Sequence, residues 1–274
     1  KYFILSWIRI GQSTIVNLSI LIVVLFFGTF NSMLYAHIIS LFLYFLFIVY
    51  ISWGKIKIVF LRFNLPYLIS CFKSNFRFPL FSMPADFINT FATQMPLFLI
   101  LSKYGNASVA FYGLTLRVLS SPIGLLSSSL LTVFKEQAGR DFRMLGNCKV
   151  IFLKTFRRLV LLGLLPFIVL FYLAPSLFEF VFGLEWRIAG DYSRILMPLY
   201  FLKFVISPLS LTLYLANRQL SDLAWQICLM VITFAAFYYS NDLINSLIFY
   251  SIGYSLLYLI YLYMSYHSAL NSKI

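Results

Sequence analysis

Charge is what this sequence has least of. Only 11% of its 274 residues are Asp, Glu, Lys or Arg, and eight of those are acidic against 21 basic. So few charges cannot cover the exterior of a water-soluble domain of this length. Cysteine and histidine are scarce as well. Cys71, Cys148 and Cys228 stand far apart with no CxxC, and His37 and His267 are isolated near expected helix ends, so neither a zinc site nor a redox pair is signalled. With so few carboxylates there is no DxD or DxxxD for metal-pyrophosphate binding, no HxxxxD and no acid/base pair. GxSxG is absent too, and no loop on the side poor in basic residues is long enough for a folded domain. No enzyme, cofactor or metal is expected on these grounds.

What the chain does have is apolar surface. It is 62% hydrophobic and 20% aromatic, with a mean hydropathy of +0.91. A helix crossing about 30 Å of hydrocarbon needs roughly 20 apolar residues, and eight stretches qualify: 13–30, 33–52, 78–101, 109–133, 157–178, 192–216, 222–239 and 244–266. The expectation is an all-α polytopic membrane protein of about eight transmembrane helices. The runs are too long and too uniformly apolar for the alternation of an outer-membrane barrel.

The basic residues report orientation. Sixteen of the 21 fall in the first terminus and every second loop: Lys1 and Arg9, then Lys55 to Arg77, Lys135 to Arg158, Arg218 and Lys273. The opposite loops hold Lys103 and Arg187. The positive-inside rule makes the first set cytoplasmic, with both ends of the chain on that side. Spread over membrane-flanking loops, these residues suit lipid headgroups and do not form a nucleic-acid face. The segment 53–77 alternates basic and bulky apolar residues and reads as an interfacial amphipathic linker.

Polarity enters the spans at helical spacing. Ser82, Asp86, Asn89 and Thr93 share one face of the third span. Arg117, Ser121, Gly124, Ser128 and Thr132 do so in the fourth, and Lys203, Ser207, Ser210, Tyr214 and Asn217 in the sixth. Facing lipid, each central charge would cost about 2.5 to 3.5 kcal/mol, so the stripes are expected to face one another or water. Ser and Thr in such seams also serve plain helix packing. Two bases, Arg117 and Lys203, with Arg194 at the outer end of the sixth span, outnumber Asp86, which suits an anion such as phosphate. Of the nine prolines, all but Pro66 lie in spans three to six, where a freed carbonyl is tolerated beside neighbouring helices or a watery cavity.

Three segments carry a resemblance: "FPLFSMPADFINTFATQMP", "AFYGLTLRVLSSPIGLLSSSLLTVFKEQAG" and "EFVFGLEWRIAGDYSRILMPLYFLKFVISPLSLTLYLANRQ". Together they resemble the second half of bacterial polysaccharide-unit flippases, the O-antigen and capsule type of the multidrug/oligosaccharidyl-lipid/polysaccharide exporter superfamily. The resemblance implies two six-helix bundles around a central cavity, with this chain covering helices five to twelve of twelve. Residues 1–52 would close the first bundle, 53–77 link the bundles, and 78–274 form the second. Some four helices of the first bundle would precede Lys1 in a longer polypeptide, unless the reading frame is shortened.

The implied activity is translocation of polyprenyl-pyrophosphate-linked oligosaccharide units across the bacterial inner membrane. Implied partners are the lipid-linked glycan, membrane lipids, and the polysaccharide polymerase and chain-length machinery. Arg117, Lys203, Arg194, Asn89, Ser121 and Ser207 are the expected substrate-facing residues. Asp86 is the expected site of proton or sodium coupling, or a neutralising partner of Lys203. A multidrug or cation exporter of the same superfamily, a membrane enzyme of polysaccharide assembly, and an inactive fragment are the competing readings.

Overall fold

The computed structural model describes residues 2–27, 30–61, 66, 69–70, 73, 76 and 78–270. Every regular element among them is helical. The chain divides into two compact units, residues 1–74 and 75–274.

The first unit pairs α1 (Tyr2–Phe27) with α2 (Phe30–Leu61). Ala36, Ser40 and Tyr44 are buried at four-residue spacing, and the Ser40 hydroxyl donates to the Ala36 carbonyl at 2.6 Å. The opposite faces expose Leu, Ile and Phe, as helices in hydrocarbon do. α2 runs on to Leu61, so the expected linker of 53–77 begins as helix, and most of its remainder lies outside the described residues.

The second unit opens on a π-helical turn, Phe78–Ser82, and passes into α3 (Met83–Leu145). α3 is two helices joined at Gly105, which alone inside it leaves helical geometry (φ 85°, ψ 177°). Only glycine takes that conformation without strain. The chain reverses there. Thr93 and Arg117 line one cavity, although 24 residues of straight helix would separate them by about 36 Å. Each lies twelve residues from Gly105, which is the register of a hairpin with arms 83–104 and 106–145.

α4 (Lys149–Phe182), a 3₁₀ turn (Leu184–Trp186), α5 (Arg187–Ile206), a second 3₁₀ turn (Ser207–Ser210), α6 (Leu211–Leu215), α7 (Gln219–Tyr239) and α8 (Leu243–Leu270) follow. The eight expected spans thus fall on eight helical segments. Four among the described residues, Lys149–Phe182, Leu184–Leu215, Gln219–Tyr239 and Leu243–Leu270, are individually long and apolar enough to cross a membrane.

Hydrogen bonds between helices fix the up-and-down order of this unit. At one end Lys103 Nζ donates to the carbonyls of Phe237 at 3.2 Å, Tyr238 at 3.0 Å and Ser240, and Tyr104 Oη donates to Ser240 O at 2.9 Å. A cation on the last carbonyls of α7 satisfies groups the helix cannot pair internally. At the other end the Cys148 N–H donates to Ala269 O at 2.9 Å, Thr212 Oγ1 to Ser265 O at 2.8 Å, and Arg218 Nη1 meets His267 Nδ1 at 3.0 Å. That second end gathers Lys135, Arg140, Arg143, Lys149, Lys154, Arg157 and Arg158, all exposed. Between the ends lies a core whose largest fully buried side chains include Tyr112, Phe134, Phe152, Phe204 and Phe237.

The motif "FGLEWRIAG" is a packed corner. Gly183 ends α4 at φ 104°, its N–H donating to Glu179 O at 2.9 Å. Arg187 pairs with Glu179 at 2.7 Å, Trp186 sets its edge on Phe111 with centroids 5.4 Å apart, and Thr115 Oγ1 donates to Ala189 O at 2.8 Å. Gly190 lets α5 lie directly on the α4 backbone at Pro175.

Candidate functional site

The two arms of α3, the Trp186 corner and α5 enclose a cavity of about 700 Å³, within the range of small-molecule sites. The 83–104 arm contributes Thr93, Gln94 and Leu97. The 106–145 arm contributes Val109, Gly113, Arg117 and Ser120, and α5 contributes Tyr200 and Lys203. Gly105 places Thr93 opposite Arg117. Helical spacing of three residues puts Tyr200 and Lys203 on one face of α5, with the ammonium 5.7 Å from the Tyr200 ring centroid. At that range the ring face attracts the cation.

Among the described residues, no carboxylate lines this cavity and none forms an ion pair with Lys203. Arg117 is exposed and Lys203 half-buried. The wall therefore presents two cations, amide and hydroxyl groups, and the aromatic faces of Trp186 and Tyr200. In a low-dielectric setting such a wall attracts a compact anion, and a guanidinium can grip phosphate oxygens two at a time.

The other expected site residues fall in different places. Asn89 sits one turn along the arm from Thr93 and is linked to the wall through it. Thr93 Oγ1 donates to Asn89 O at 2.7 Å and lies 3.3 Å from Asn89 Oδ1. Ser121 follows Ser120 in the helix, and its side chain lies outside the described residues. Ser207 is exposed at the start of a 3₁₀ turn, where its carbonyl accepts from Ser210 Oγ at 2.8 Å, and it does not line the cavity.

Arg194 lies elsewhere. It is absent from the cavity wall. Its Nε donates to Phe171 O at 3.1 Å and its Nη2 reaches Tyr172 O at 3.4 Å. The Phe171 carbonyl needs an outside donor because Pro175, four residues on, has no N–H to give it.

Asp86 also stands away from the cavity wall. No ion pair joins it to Lys203 among the described residues. It lies within electrostatic range of Asp222, in the first turn of α7.

Asp222 escapes any reading of single spans. It is 1% exposed, accepts from Tyr214 Oη at 2.8 Å on Oδ2, and accepts from Tyr261 Oη on Oδ1. The Trp225 ring stacks on Tyr261 with centroids 3.8 Å apart, and Trp225 Nε1 donates to Leu257 O at 2.8 Å. From Tyr261 a buried ladder of Tyr258, Tyr254 and Tyr250 climbs one face of α8. Tyr254 Oη and Thr233 Oγ1 are 2.6 Å apart, and the Tyr112 hydroxyl lies toward Tyr250 without reaching hydrogen-bond geometry. The signal for this ladder was available as tyrosines spaced 4, 4 and 3 apart in "YSIGYSLLYLIY". The fold is an all-α polytopic membrane protein, and comparison with protein-family models, curated proteins and solved structures finds nothing that matches the chain.

Proposed function

We propose that this chain serves the translocation of polyprenyl-pyrophosphate-linked oligosaccharide units across a bacterial inner membrane, for surface polysaccharide such as O-antigen or capsule. The observation that carries the reading is the convergence of Arg117 and Lys203 on one cavity with no carboxylate in its wall among the described residues. Arg117 takes the pyrophosphate bidentately and Lys203 adds a point charge, while Trp186 and Tyr200 offer flat faces to the first sugar. The polyprenyl tail stays in lipid. The end rich in Lys and Arg faces the cytoplasm by the positive-inside rule, so the cavity lies toward the outer half of the bundle. Asp86, within electrostatic range of Asp222, is the place where a proton or sodium ion is coupled. A cation exporter would have its cargo meet these acids, which are not among the cavity's lining residues.

Deleting the gene tests the reading. Mass spectrometry of the membrane should find accumulated lipid-pyrophosphate-linked repeat units, with drug tolerance unchanged. Increased drug sensitivity without accumulation would move the protein to multidrug export. In the complemented strain, Arg117→Ala and Lys203→Ala should each abolish surface polysaccharide at normal protein level. Normal surface glycan in both would overturn the cationic-cavity mechanism.

A further inference from the structure

α4 and α5 also frame an apolar groove of about 290 Å³, walled by Leu164, Phe167, Ile168 and Phe171 on one side and Met197 and Phe201 on the other. It uses a different face of α5 from the cavity. Arg194, Met197, Pro198 and Phe201 fall within a sector of about 100° at 3.6 residues per turn, apart from Tyr200 and Lys203. Both walls belong to segments long and apolar enough to cross a membrane, so the surrounding phase is hydrocarbon. Water has too few polar partners there to be held, and an empty groove would forfeit dispersion contacts along its lining. A hydrocarbon chain fills it best.

One end of the groove is charged. Arg194 is pinned there by the Phe171 and Tyr172 carbonyls, leaving part of its fork without a protein acceptor and without an ion pair among the described residues. A guanidinium held in this way matches a phosphate. The groove runs from Arg194 toward Leu164 and Phe201, that is, away from the end where Lys103 caps α7 and toward the middle of the bundle. A lipid seated here has its phosphate nearer the Lys103 end and its chain pointing inward, the orientation of the leaflet on that side.

We infer that this groove is a binding site for one anionic bilayer phospholipid of that leaflet, with an acyl chain between α4 and α5 and its phosphodiester on Arg194. Lipid retention here does not depend on what the cavity transports. The full chain, purified in mild detergent with phosphatidylglycerol or phosphatidylethanolamine and examined by native mass spectrometry, should retain one phosphatidylglycerol in preference. A basic residue near a membrane surface contributes about 1 kcal/mol toward an anionic lipid, so Arg194→Gln should lower that preference about fivefold while Arg194→Lys keeps much of it. Leu164→Trp, which fills the groove without touching Arg194, should displace either lipid and guards against a folding defect in the Gln variant. Equal retention by wild type and both Arg194→Gln and Leu164→Trp, or retention of a polyprenyl phosphate in place of phospholipid, would overturn the assignment.

Discussion

Replacing Gly190 by alanine tests the corner that holds α5 against α4. A Cβ at this position would lie 2.4 Å from Pro175 Cα and 2.8 Å from both Ala174 O and Pro175 N. Favourable carbon contacts begin near ~3.5 Å, so the helices would have to part by about 1 Å. All three clashing atoms are backbone, and no rotamer change relieves them. Overpacking of this kind costs about 1–3 kcal/mol, and parting the helices also pulls on the Thr115 to Ala189 hydrogen bond one residue away. Gly139 supplies the control, because an added Cβ there meets nothing within 4 Å. Inside a helix that exchange should stabilise by up to about 1 kcal/mol. The assay is the temperature at which half of the detergent-solubilised protein is lost from its size-exclusion peak. Gly190→Ala should fall clearly below wild type, with Gly139→Ala at or above it. If the two alanine variants lose their peaks at the same temperature, the close approach at Pro175 is not what holds the corner.

Asp222→Ala should destabilise by several kcal/mol in the same assay, since it strands two buried tyrosine hydroxyls at about 1–3 kcal/mol each, and Tyr261→Phe should cost less; an unaffected Asp222→Ala would remove the acid from the core of the bundle. Burial, with the Asp141 charge adding to it, pushes the Cys148 thiol up to about 12 from an ordinary 9.0. In a Cys71→Ser/Cys228→Ser background a soluble maleimide at pH 8 should leave Cys148 unmodified until the protein is unfolded. Because the folded thiol holds its proton where the unfolded one releases it, this group's contribution to stability falls as pH rises from 9.0 toward 12. Labelling of the folded protein at the rate of a free thiol would refute the burial.

Hydropathy made the spans legible because hydrocarbon imposes one rule on every segment that crosses it. The polar stripes were legible as faces but not as partnerships. Period 3.6 places Asp86 and Thr93 on one side of a helix without saying which helix lies opposite, and so could not show that Asp222 of α7 falls within electrostatic range of Asp86. Arg194 shows the same gap. Its position near the Lys103 end of α5 could be read, yet its task is set by a carbonyl that Pro175 frees in a neighbouring helix, 23 residues earlier in the chain. Asp222 had the weakest local signal, a single acid at the edge of a span, because its partners come from 8 residues before it and 39 after it. In the motif "FGLEWRIAG" the structure gives Gly183, Ala189 and Gly190 chain-reversal and packing places, and Trp186 both packs on Phe111 and lines the cavity.

The distribution of charge inside the second unit follows a physical requirement of the proposed mechanism. A carboxylate about 4 Å from a cation at an effective dielectric near 20 would contribute about 4 kcal/mol of attraction, enough to occupy Lys203 and leave little pull on an incoming phosphate. The chain keeps the exposed Asp86 and the buried Asp222 off the cavity wall and satisfies Asp222 with tyrosine donors in place of a base. Neutral hydroxyls hold a carboxylate in place without consuming a cation. The aromatic ladder then fills the interval with rings that pack on one another, and the Tyr254 hydroxyl still meets Thr233. The Tyr200 ring lies 5.7 Å from Lys203 Nζ, so the cation meets a π face and, among the described residues, no ion-pair partner. An acidic residue introduced at Ser120 or Gln94, on the cavity wall itself, would undo this separation, and on this physical chemistry it should impair anion translocation as severely as removing Lys203.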